Sequence, residues 1–147
     1  MNNSSTNDLL DKILKEHKLI ESYSDTLRQF TNDDDPSKLS SHLLALVTFF
    51  ESDLVKHFAI EERFVFPAVL MDKAEIESIR IILKLTHSHG FLTQEANALL
   101  AQLKNSLNES EKVSSILLKQ LQGFLDKLKE HAQEEMQTLI PMVNRSQ

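Results

Sequence analysis

Apolar residues recur along this chain at alternating steps of three and four, in four stretches separated by polar or proline-marked breaks. Steps of that size keep side chains on one face of an α-helix. The breaks fall at 31–36 (TNDDDP), 67–72 and 105–110 (NSLNES). Asp35 is expected as an N-cap with Pro36 at the first helical position, Asp72 as a cap for the third helix and Ser110 for the fourth. The pattern predicts helices over roughly 7–30, 36–68, 73–105 and 110–143. Short connections make consecutive helices antiparallel neighbours. The expected fold class is all-α, an up-down-up-down antiparallel four-helix bundle forming a single domain over residues 1–147.

The inward rows carry the chemistry. In helix 2 the row reads Leu43, Val47, Phe50, Leu54, His57, Glu61, Phe64 and Ala68; in helix 4 it reads Leu117, Leu121, Phe124, Leu128, His131, Glu135, Thr138 and Met142. Both are coiled-coil-like stripes broken at the same place by His and then Glu. The surrounding phrase repeats: HFAIEERFVFP from His57 to Pro67 and HAQEEMQTLIP from His131 to Pro141. Helix 1 contributes Leu10, Leu14, His17, Ile20, Ser24 and Leu27, and helix 3 contributes Ile82, Leu85, His89, Leu92, Ala96, Leu99 and Leu103. Each helix thus presents one inward histidine. Measured from the same end of an antiparallel bundle, at about 1.5 Å per residue, the four fall within one layer of order 10 Å. The halves also look duplicated, with offsets of 72 from His17 to His89 and 74 from His57 to His131, a pairing that favours His89 over His87.

A lone core histidine is more often a hydrogen-bonded structural residue than a ligand. Two His–Glu pairs at one depth are another matter, because a buried carboxylate without a partner costs several kcal/mol. No inward Arg or Lys stands at that layer to neutralise Glu61 and Glu135. A cation would do so; the competing reading is a His–Glu hydrogen-bonded network without metal. Glu62 and Glu134 point off the inward row and are expected to be solvated. His87 is expected to flank the site or lie on the surface, and His42 to be structural. Gly90 and Gly123 stand inside helices, where each costs roughly 1 kcal/mol against Ala; close packing or access for a small ligand would explain them. Tyr23 is expected to fill core, and Phe49, Phe50, Phe64, Phe66 and Phe124 to be mostly core, several of them walling the site.

Composition narrows the classes. Among 147 residues there are two glycines and three prolines, as few long helices require. A formal charge of −6 with no basic stripe makes nucleic acid an unexpected partner. The absence of cysteine excludes disulfides, thiolate metal sites and iron–sulfur clusters. The polar start MNNSSTNDLL lacks a signal-peptide layout, and the apolar stretches at 43–50 and 64–71 are too short to span a bilayer. A cytoplasmic protein without membrane contact is expected; its oligomeric state is left open. The chain contains no HExxH. The Glu-x-x-His of ferritin-like di-iron proteins is also missing, since Leu14, Leu54, Thr86 and Leu128 stand three before the histidines.

Over nearly its whole length the chain resembles the hemerythrin-like family, also called the HHE cation-binding domain. The resemblance rests on His17 in KEHKLI, the HxxxE…FP phrase of helix 2, a histidine early in helix 3 and HxxxE…P in helix 4. It implies two iron ions bridged by Glu61, Glu135 and an oxo or hydroxo species, with His17 and His57 serving one iron and His89 and His131 the other. Oxygen-carrying hemerythrins have a second helix-3 histidine four residues from the first, where this chain has Leu85 and Thr93. They also carry an Asp five after the helix-4 histidine, where Met136 stands. The resemblance is therefore to the broader group with four His and two Glu, whose irons have fewer protein ligands and more exchangeable positions.

Imidazole nitrogen and carboxylate oxygen suit iron and other first-row metals such as manganese or zinc. The expected function is a non-haem di-iron protein that binds or reacts with O₂, NO or peroxide, more a metal- and small-ligand-binding protein than a conventional enzyme. Alternatives are an iron- or oxygen-sensing or stress-response binding module, or an iron-centre repair protein with no turnover of its own.

Overall fold

The computed structural model describes residues 3–30, 36–72, 75–108, 113–139 and 141. The first helix, α1 (Asn3–Gln29), buries Leu10, Ile13, His17, Ile20, Ser24 and Leu27, a stripe wound in steps of three and four. The second, α2, is a continuous run in which the α-helical segments Pro36–Thr48, Leu54–Ile60 and Phe66–Asp72 are joined by two π turns, Phe49–Asp53 and Glu61–Val65. Helices α3 (Ile76–Asn108) and α4 (Ser115–Thr138) complete the bundle, and no strand occurs among the described residues. Helix α4 packs against α1 and α3, and α2 closes the ring against α3 and α1. The all-α four-helix architecture is the one the periodicity predicts.

Helix ends differ from the sequence reading in detail. Helix α3 begins at Ile76 and runs to Asn108, three residues past the predicted end. Helix α4 begins at Ser115, with the Ser114 hydroxyl accepting the Leu117 N–H at 3.1 Å as N-cap. Ser114, rather than Ser110, therefore starts the described helix; Ser110, Asp35 and Met142 lie outside the described residues, as does the side chain of Asp72. In α1 the inward residue expected at Leu14 is Ile13, with Leu14 half-buried.

The π turns re-phase α2. In each, an N–H reaches the carbonyl five residues back, Leu54 to Phe49 and Phe66 to Glu61, so the turn holds an extra residue. Beyond Glu61 the inward positions advance by one. Phe64, expected in the core, is 54 % exposed, whereas Val65, Phe66 and Val69 are buried. The widened turn also explains why the helix continues to Asp72 instead of stopping near residue 68. Pro67 lacks an N–H and its ring clashes with a carbonyl four residues back in a regular helix; a π turn just before it relieves both conflicts.

The buried apolar side chains form two clusters. One includes Ile20, Leu54, Phe58, Leu92, Phe124 and Leu128; the other includes Leu10, Ile13, Val65, Phe66, Ile82, Leu85 and Leu139. By sequence position His17, His89 and His131 lie between the two clusters, and on α2 His57 sits beside Phe58 at the edge of the first, with Glu61 between them. No helix among the described residues is long and apolar enough to cross a membrane.

Candidate metal centre

Among the described residues the buried polar ones are His17, Ser24, His57, Glu61, Ser78, His89, His131 and Glu135. Six of these are the residues singled out from the sequence, and the fold brings all six together. They form two overlapping groups, His17–His57–Glu61–Glu135 and Glu61–His89–His131–Glu135, within each of which one ligand atom per residue lies within 4.8 Å of the others.

The atoms converge on one interior point from four helices. His57 Nε2 lies 3.2 Å from Glu61 Oε2, and His17 Nε2 lies 3.5 Å from the same oxygen and 3.4 Å from Glu135 Oε1. On the other side His89 Nε2 lies 3.1 Å from Glu61 Oε1, and His131 Nε2 lies 3.4 Å from Glu135 Oε1. Glu61 therefore turns one carboxylate oxygen to each histidine pair, the orientation a bridging carboxylate needs. Every ion-pair partner of Glu61 and Glu135 among the described residues is a histidine.

Two adjacent carboxylates with only histidines as ion-pair partners dictate the electrostatics. Burial raises the Glu135 carboxyl far above the usual range, and the adjacent Glu61 pushes it further. Glu61 goes the other way: burial opposes its ionisation, but the close approach of Glu135, His17, His57 and His89 holds it well below its ordinary value. Left to themselves, the pair keeps one negative charge and one proton. Burial lowers His57, but hydrogen bonds to Glu16 and Glu61 outweigh it and raise the imidazole to about 9. His131 is lowered to about 4 by burial and by repulsion from His89.

The donor set fits a pair of cations. Both ring nitrogens of His17, Oε1 of Glu61 and both carboxylate oxygens of Glu135 are buried without a hydrogen-bond partner. Such atoms cost about 1–3 kcal/mol each when left unpaired. His89 Nε2 and His131 Nε2 stand 3.0 Å apart. Two nitrogens each about 2.0–2.1 Å from one metal ion acquire a separation of that size when roughly at right angles.

Two carboxylates escaped the sequence reading. His57 donates Nδ1–H to Glu16 Oε1 at 2.8 Å, and His89 donates Nδ1–H to Glu62 Oε2 at 2.8 Å. Glu62, expected to be solvated, is 42 % exposed yet engaged in this bond. The available signal was adjacency: Glu16 precedes His17 and Glu62 follows Glu61. Phe58 was also missed; it stacks on His89 with centroids 4.0 Å apart and planes at 16°. Phe66 stacks on the same imidazole at 5.7 Å.

Other candidates fall away from the site. His87 is exposed against Phe91, and His42 lies half-buried beside Tyr23 and Phe30. Tyr23 packs on Phe49 as core filling. Gly90 and Gly123 are exposed, and a Cβ at either would meet nothing within 4 Å. Neither close packing nor access to the site explains them.

A four-helix bundle with four imidazoles and two carboxylates gathered in its interior points to a metal-binding protein. The chain belongs to the hemerythrin family: the hemerythrin HHE cation-binding domain matches residues 8–143. No curated protein and no solved structure matches the chain.

Proposed function

We propose that this chain is a single-domain non-haem di-iron protein that binds or reacts with a small ligand such as O₂, NO or peroxide. His17 and His57 would hold one iron and His89 and His131 the other, with Glu61 and Glu135 available to both. The observation that carries the reading is Glu61, a residue only 1 % exposed, whose two oxygens face His57 and His89 at 3.2 and 3.1 Å. An iron pair in such a donor set supplies a redox-active Lewis-acid centre for small ligands. The protein side chains hold the geometry and exclude water: Phe58 and Phe66 cover His89, and apolar clusters close the layer from both ends.

A second reading, an iron- or oxygen-responsive binding module, draws on the position of the layer between the two apolar clusters. Loss of cations there leaves buried unpaired groups in the middle of the fold, so metal status is coupled to stability.

The test is metal analysis of protein purified after iron-replete expression, with visible spectra before and after exposure to O₂, NO and peroxide. Two irons per chain and ligand-dependent absorption are expected. Protein that holds no stoichiometric metal overturns the reading. Two irons with no spectral response, together with loss of helicity on iron removal, favour the second one.

A further inference from the structure

We propose that Glu16 and Glu62 are positioning carboxylates, one for each cation, acting through His57 and His89 respectively. The inference rests on the ligand assignment proposed above. Each carboxylate accepts the Nδ1–H of a buried imidazole at 2.8 Å. An ionised carboxylate only accepts, so the bond keeps a ring proton on Nδ1 and makes Nε2 the nitrogen whose lone pair a cation takes up at the centre. It also fixes the ring plane and raises the basicity of Nε2.

Charge supports the same roles. Glu61 and Glu135 bring two negative charges to a pair of divalent cations, and Glu16 and Glu62 bring two more. Four carboxylates balance two dications, and the outer pair remains partly exposed, at 22 % and 42 % of the side chain. Ionising them there avoids the desolvation cost that a fully buried charge carries.

The duplication makes the arrangement specific to these two positions. Under the offsets that relate the halves, Glu16 corresponds to Ser88 and Glu62 to Met136. Neither can accept as a carboxylate does. His17, whose anchor would come from position 136, has a buried Nδ1 without a hydrogen-bond partner. Each cation therefore has one imidazole anchored by a carboxylate and one that lacks this anchor.

The experiment uses the full chain and zinc, which accepts both imidazole nitrogen and carboxylate oxygen as ligands. Zinc is titrated against a competing chelator into the wild type, Glu16→Gln and Glu62→Gln, with Glu51→Gln, which breaks a surface pair with Lys104, as control. Each Gln variant is expected to weaken one of two zinc ions by about 10–100-fold, leaving the other and the control near wild type. In ¹⁵N-histidine spectra of zinc-loaded protein, Glu16→Gln shifts the Nδ1–H signal of His57 alone, and Glu62→Gln that of His89 alone. Glu16→Asp and Glu62→Asp, which keep the charge, are expected to restore part of the lost affinity at the same ion. Wild type binding two zincs with both Gln variants unchanged, or with both ions weakened equally by either variant, overturns the proposal and leaves the ligand assignment standing. Wild type binding no stoichiometric zinc overturns both.

Discussion

His89 Nε2 and His131 Nε2 face each other at 3.0 Å in the interior of the bundle. His89 gives its Nδ1 proton to Glu62, and two bare Nε2 lone pairs would repel at that distance, so the short approach needs something positive between the rings. Either one of the rings supplies a proton there or a cation takes the proton's place. The cation satisfies both rings and both carboxylates at once. Metal-loaded protein is therefore expected to melt above chelator-treated protein, by an amount that grows with free metal. At a thousand times the dissociation constant the gain is about 4 kcal/mol. His57→Ala and Glu135→Ala should abolish most of that increment; calorimetry with and without chelator checks it.

Cation loading must also displace protons. His57, raised to about 9, and Glu135, raised far above its usual range, both hold a proton at neutral pH before loading. Apparent metal affinity should then rise with pH from 6.5 toward 9, with net proton release on binding measurable in buffers of different ionisation enthalpy. The stability of the metal-free chain should move the opposite way. The folded chain keeps the His57 proton up to about 9, whereas the unfolded chain releases it near 6.5. That contribution is complete below 6.5 and is lost as pH rises through 9. Chelator-treated melts across that window test the sign.

Helix α2 offers a test of its second π turn. Phe64 and Phe66 are two residues apart, yet the first is 54 % and the second 3 % exposed. Phe66→Ala should cost about 3–5 kcal/mol, Phe64→Ala under about 1 kcal/mol. Denaturant unfolding of the two variants would show the opposite order if the helix kept a regular α register.

Gly90 and Gly123 weaken α3 and α4 without a compensating contact. Gly90→Ala and Gly123→Ala should each stabilise by roughly 0.5–1 kcal/mol, since Ala loses less backbone entropy in a helix. At this chain length, about 2–4 °C per kcal/mol makes the gain visible in a thermal melt.

The bundle and the six gathered residues were legible because both follow from periodicity. A stripe of apolar residues in steps of three and four names the buried face of a helix, so His17, His57, Glu61, His89, His131 and Glu135 could be placed inside before any contact was known. Their common depth followed from counting residues along antiparallel rods. Where a wide turn interrupts the helix, counting fails: beyond Glu61 the extra residue turned Phe64 outward and Val65 and Phe66 inward. The spacing of apolar residues does not encode that choice.

Contacts between helices were settled by the tertiary structure alone. Glu16 reaches His57 across 41 positions and Glu62 reaches His89 across 27, and in the sequence both carboxylates look like solvent-facing neighbours of more conspicuous residues. Helix rotation and lateral spacing decide which outward-leaning side chain meets which imidazole, and neither quantity is carried by a one-dimensional repeat. The amino-acid order by itself determined which faces turn inward and which chemical groups they carry; the packed bundle decided how those groups are aimed and what holds them.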